Sequence, residues 1–213
     1  MAEALRQVDA LPDRPQAAQA AGDSRDAPRF TLLIRAAKLV SGASEFLCVL
    51  RDASELGVSV RLFHPLPADL ELTLELPNGD RHPLERVWEE EGKAGFRFRE
   101  PVELDRIVEN RSRYARRSMR VRLEAPCSLV LGDRRASATI GNISQEGALI
   151  RTQERLSLVQ RVRIEIEGGP EIAARVRWRR EDDYGVSFED SFQFAELAAL
   201  TFDLQREALR ASS

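Results

Sequence analysis

One constant offset of 90 residues runs through this chain and constrains its fold more than any other feature. "DASELG" at 52–57 returns as "NISQEG" at 142–147, matching Ser54 with Ser144 and Gly57 with Gly147. Arg61 falls on Arg151, Leu66 on Leu156, Gly79 on Gly169 and Trp88 on Trp178. "GFRF" at 95–98 falls on "GVSF" at 185–188. An offset held over about 45 residues, both tryptophans included, marks a gap-free tandem duplication. Whatever the first half builds, the second half must build again.

The repeated unit reads as short strands. "DLELTLEL" sets Leu70, Leu72, Leu74 and Leu76 on one face, and "VRIEIE" does the same with Val162, Ile164 and Ile166. Strict alternation marks a half-buried strand. "PNGD" at 77–80 and "EGGP" at 167–170 occupy matching places and predict hairpin turns. Further strands are expected at 33–40, 46–51, 58–63, 84–88 and 94–98, with counterparts at 123–130, 136–142, 148–152, 173–179 and 184–188. Six or seven short strands in about 75 residues favour a small closed barrel. After each barrel comes a helical stripe. The first, with Val102, Leu104, Ile107 and Val108, is expected to link the barrels. The second, with Phe194, Leu197, Ala198, Thr201 and Leu204, is expected to cap the C-terminal end.

Composition closes off several functional classes. The 213 residues are 43% hydrophobic and carry a formal net charge of −3, so there is no global attraction to nucleic acid or anionic lipid. Residues 1–27 lack apolar periodicity and read as a disordered tail without a signal-peptide core. No apolar run approaches the roughly 20 residues that span a bilayer, so membrane insertion is not expected. Cys48 and Cys127 make no disulfide framework, and His64 and His82 alone make no ordinary zinc site. Together these point to a reduced, cytoplasmic protein with no metal and no cofactor. No nucleophile–base pattern or phosphate-cradling glycine loop is present, and the expectation is that the chain is not an enzyme. "EEEG" at 89–92 and "EDD" at 181–183 read as solvated hairpin tips.

Against the acidic background, six arginines crowd residues 111–122 without one acid among them. Such a run can be a solvated linker, but here it stands just before the first strand of the second barrel. Arg116 and Arg120, four apart, can face one ligand, and a guanidinium fork suits phosphate oxygens and guanine edges. The turn at 142–147 adds an amide at Asn142, a small hydroxyl at Ser144 and, at Gly147, room for close approach. The same residue types also serve plain strand-linking turns.

In combination these residues resemble the PilZ domain family. The resemblance rests on Arg116-x-x-x-Arg120, then Asn142-x-Ser144-x-x-Gly147, then the late "YGVSF" strand at 184–188. It covers about 112–190 strongly and about 29–100 in degenerate form. It implies a mainly β chain of two tandem six-stranded antiparallel barrels, each followed by a short α-helix. The expected order is a tail at 1–27, a degenerate barrel at 28–100 and a linker helix at 101–115. A motif-complete barrel at 116–190 and a helix at 191–213 follow. The resemblance also implies cyclic di-GMP as ligand, held by Arg116, Arg117, Arg120, Asn142, Ser144 and Gly147, with Trp178 beside a guanine. Barrel core is an equal alternative for Trp178.

The repeat supplies a control, because Arg116 and Arg120 fall on Asp26 and Phe30, and the first copy has lost the pair. The expected function is a receptor whose arginine arm closes on the nucleotide, changes interdomain geometry and so engages an unidentified protein partner. A PilZ-fold adaptor that binds no nucleotide is the alternative. Nucleic acid is not an expected partner, and the sequence leaves a homodimer open.

Overall fold

A computed structural model describes residues 30–68, 70–108 and 118–211. The duplication is realised strand for strand. The first unit comprises β1 (Phe30–Ser41), β2 (Ser44–Ser54), β3 (Gly57–Arg61), β4 (Leu72–Glu75), β5 (Arg81–Glu90) and β6 (Lys93–Phe98), followed by α1 (Leu104–Val108). The second comprises β7 (Val121–Leu131), β8 (Arg134–Ser144), β9 (Gly147–Arg151), β10 (Arg161–Glu165), β11 (Glu171–Arg180) and β12 (Asp183–Phe188), followed by α2 (Phe194–Ala211). Each unit is a closed barrel, ordered β1-β2-β3-β6-β5-β4 and β7-β8-β9-β12-β11-β10 around its ring. Closure removes the exposed edges that six short strands would otherwise present.

Period-two alternation fills each barrel. Leu39, Leu50, Val60, Leu74 and Phe96 meet inside the first, and Leu129, Ile140, Ile150, Ile164 and Val186 inside the second. Within the 101–115 stretch expected to form a linker helix, α1 is described and its Ile107 is fully buried, while 109–117 lie outside the described residues. Glu89 departs from its expected place on a solvated tip, because its carboxylate accepts from the Leu66 amide at 3.1 Å and pairs with Arg86 at 2.9 Å.

The barrels share an interface built on the outer face of β2. Phe46, Cys48 and Leu50 point into their own barrel, whereas Leu47, also fully buried, joins the core cluster of the second. The C-terminal helix does more than cap the chain. Its Leu197, Ala198 and Leu204 pack on the second core, while Phe202 packs against the first and stacks on His64 at 3.9 Å between ring centroids. Gln205 accepts from the Glu45 amide at 2.7 Å and donates to the Glu45 carbonyl at 2.9 Å.

Burial holds the His64 imidazole below its ordinary value of 6.5 despite nearby Asp203 and Glu89, and burial does the same to His82. Both rings bind protons less readily in the folded chain than in the unfolded one. Stability is therefore expected to be complete above pH 6.5 and to fall as pH drops below it. Urea midpoints at pH 7.5 and 5.5 check this, and His64→Gln should flatten part of the slope. A midpoint that does not fall on acidification contradicts it.

Candidate functional site

Two β-bulges shape the second barrel's outer wall. Between β8 and β9 the register jumps from Ile140↔Ile150 to Asn142↔Leu149, leaving Gly141 as the extra residue. Between β11 and β12 it jumps from Val176↔Val186 to Trp178↔Gly185, leaving Arg177 extra. A bulge re-aims the side chains beside it, and here both Asn142 and Trp178 turn towards one cleft.

Trp178 is not barrel core, for it is 49% exposed. Its indole covers the bare backbone of Gly185, where a Cβ would lie 2.0 Å from Trp178 Nε1. The first copy repeats the pairing with Trp88 over Gly95, at 2.1 Å by the same measure, and Trp88 is 41% exposed. Each barrel thus carries an outward-facing indole platform seated on glycine. Gly185→Ala is expected to evict the Trp178 ring with little change to the barrel interior. It should shift tryptophan emission and weaken ligand binding about 10-fold, in line with the 1–3 kcal/mol typical of base–aromatic stacking. An unchanged affinity would separate Trp178 from the ligand.

The turn motif divides into two kinds of residue. Ser144 is 1% exposed and its hydroxyl donates to the Gly147 carbonyl at 3.0 Å. At Gly147 a Cβ would come within 2.2 Å of the Val186 carbonyl oxygen, so the missing side chain lets β9 approach β12. The first copy keeps both features, with Ser54 donating to Gly57 at 3.4 Å and Phe96 oxygen 2.4 Å from the same point on Gly57. Ser144 and Gly147 border the cleft while holding the barrel wall closed. Asn142 differs, because its Oδ1 accepts from Arg120 Nη1 at 2.7 Å. That bond joins the second half of the arginine motif to the first residue of the turn motif. Arg116, Arg117 and Asp26 lie outside the described residues.

The cleft measures about 830 Å3 and lies between the barrels. The second barrel supplies Arg120, Asn142, Ser144, Gly147, Arg177 and Trp178. The opposite wall comes from the first, through Lys38, Glu75 and the turn at 76–79. Burial pushes the Glu75 carboxyl up, but donation from Lys38 and Arg81 outweighs it and holds the group below the usual carboxylate value. Sequence reasoning missed Lys38 and Glu75 because they sit in the copy without the arginine pair, and nothing local tells which outer face meets the other barrel. Arg177 was within reach, one residue before Trp178 in "RVRWRR", but only the bulge turns it to the cleft.

Among the described residues no group of His, Cys, Asp and Glu is placed to hold a metal ion. Burial raises both thiols, Cys127 to about 11 and Cys48 further, so neither is a thiolate near neutral pH. No described helix is long and apolar enough to cross a membrane.

Comparison with known proteins places residues 110–203 on the family model of the PilZ domain. No curated protein matches the chain. Solved structures similar to it include the PlzA protein of Borreliella burgdorferi in complex with c-di-GMP, at 10% identity and TM-score 0.34, covering 79% of this chain and 86% of that one. MrkH of K. pneumonia in its apo state is 14% identical over 84% of this chain and 90% of that one, with TM-score 0.33. YcgR from Escherichia coli in complex with c-di-GMP is 13% identical over 84% and 87%, with TM-score 0.31.

Proposed function

Because its second barrel is a PilZ domain, we propose that this chain is a cyclic di-GMP receptor, binding the nucleotide in the cleft between its barrels. One observation carries the reading: Arg120 and Asn142 are joined at 2.7 Å on the rim of a cleft that also holds the exposed indole of Trp178. A guanidinium there suits a phosphate or the O6/N7 edge of guanine, and an indole suits the face of a purine. The family resemblance assigns Arg116 and Arg117 to the same ligand, Arg177 adds a further cation at the cleft, and Ser144 and Gly147 border it. The chemistry is recognition and not catalysis.

Output follows from position. The arm carrying Arg116 and Arg117 connects the two barrels, so a ligand that draws it in changes how they sit, and a protein partner reads that change. The test is calorimetric titration of cyclic di-GMP into the purified chain. Saturable heat at one site per chain is expected, in the micromolar range or tighter. Absence of both heat and thermal shift at high ligand overturns the reading and leaves the adaptor, which binds no nucleotide.

A further inference from the structure

The first barrel lacks the arginine pair, yet it grips the backbone on either side of Val121, next to Arg120, the second member of that pair. Lys38, on β1, is only 7% exposed, and its ammonium has three protons to donate. The structure gives it three acceptors: Glu45 Oε2 at 2.9 Å, Glu75 Oε1 at 2.7 Å and the backbone carbonyl of Arg120 at 3.1 Å. Glu45, on β2, is fully buried. Its Oε2 also accepts from the Arg122 amide at 3.0 Å, and its Oε1 accepts from Arg122 Nε. The Glu45 backbone is in turn held on both sides by Gln205 of α2.

The chain is thereby held on either side of Val121, the first residue of β7, by the carbonyl before it and the amide after it. Val121 itself is fully buried in the second core. These constraints leave the Arg120 Cα little freedom, and a guanidinium on a fixed stem loses less entropy when it meets a ligand. Lys38 and Glu45 carry opposite charge and are buried together, so removing either takes a buried partner from the other and leaves Lys38 on Glu75 alone or Glu45 on Arg122 alone.

Resting on the receptor reading above, we infer that Lys38 and Glu45 of the first barrel are positioning residues for Arg120, so that the barrel without the arginine pair sets the ligand affinity of the barrel with it. They act through the backbone at 120–122, not by touching the nucleotide.

The experiment is a double-mutant cycle read by titration with cyclic di-GMP, supported by amide exchange without ligand. Lys38→Met and, as a near-isosteric second variant, Glu45→Gln should each weaken binding about 10-fold, a loss of about 1.4 kcal/mol. In an Arg120→Ala background either change should cost less than 2-fold, because the side chain being positioned is gone. Without ligand, both variants should speed exchange of the Arg122 amide at least 10-fold. Unchanged affinity in both variants overturns the inference. Equal fold-losses with and without Arg120 also overturn it, since they mean direct contact or general loosening. If the native chain binds no cyclic di-GMP, the receptor reading falls, and exchange at Arg122 alone decides whether the positioning contacts exist.

Discussion

Arg120→Ala is expected to weaken cyclic di-GMP binding at least about 30-fold, a loss of roughly 2 kcal/mol. Two losses combine. The ligand forfeits a charge-assisted contact of the kind worth about 1.5–3 kcal/mol. Asn142 forfeits the donor that fixes its amide at 2.7 Å, so its own presentation to a base edge is degraded as well. Arg120→Lys separates these effects, since it restores the charge but not the planar fork. It should recover only part of the affinity. The Arg120 side chain lies outside both barrel interiors, so the melting temperature should barely move. An Arg120→Ala chain that binds as tightly as the native one removes the arginine motif from the site.

Leu47→Ala should cost about 3 kcal/mol of stability, within the range for truncating a fully buried leucine. The informative part is where the loss appears. Leu47 belongs to the first barrel by chain and to the second by packing. The chain has two tryptophans, Trp88 in the first barrel and Trp178 in the second, so Trp→Phe variants make each barrel's unfolding separately visible. The urea midpoint reported by Trp178 is expected to fall although the substitution is on β2. A shift confined to Trp88 would mean that the shared interface contributes little.

Much of the architecture was legible because it is local. The leucines of 70–76 and their counterparts at 162–166 alternate at the strand period, and the 90-residue offset carries the reading of one barrel to the other. The agreement extends to irregularities, since the bulges before Trp88 and Trp178 and those before Asp52 and Asn142 recur in register. Legibility ended where contacts became long-range. "FLCVL" at 46–50 is apolar on both faces, and the outer side, through Leu47, serves the other barrel. A run of that kind signals burial on both sides without naming the partner.

The site was legible to the same depth. Asn142, Ser144 and Gly147 carry a recognisable pattern, but the pattern does not separate residues that face a ligand from residues that close a barrel. The packing shows which of them close the barrel. Gly147 stands against the Val186 carbonyl just as Gly57 stands against that of Phe96, so its presence in both copies follows from strand crossing alone. Arg120 and Lys38 are 82 positions apart, and no spacing rule predicts that they meet.

The outer face of β2 has a further meaning for the history of the chain. Duplication ordinarily leaves two portable cassettes, each able to be excised and to fold by itself. Here the halves have traded interiors. The second lodges a leucine of the first in its own core, and the first lies under a phenylalanine and a glutamine borrowed from the terminal helix. Cut apart, one fragment would bare an oily socket, and in the other Glu45 would lose Arg122 and Gln205 and keep Lys38 alone. The two halves are now bound by shared packing: the first could give up its arginine pair, with Asp26 and Phe30 in its place, while its β2 still serves the other's core.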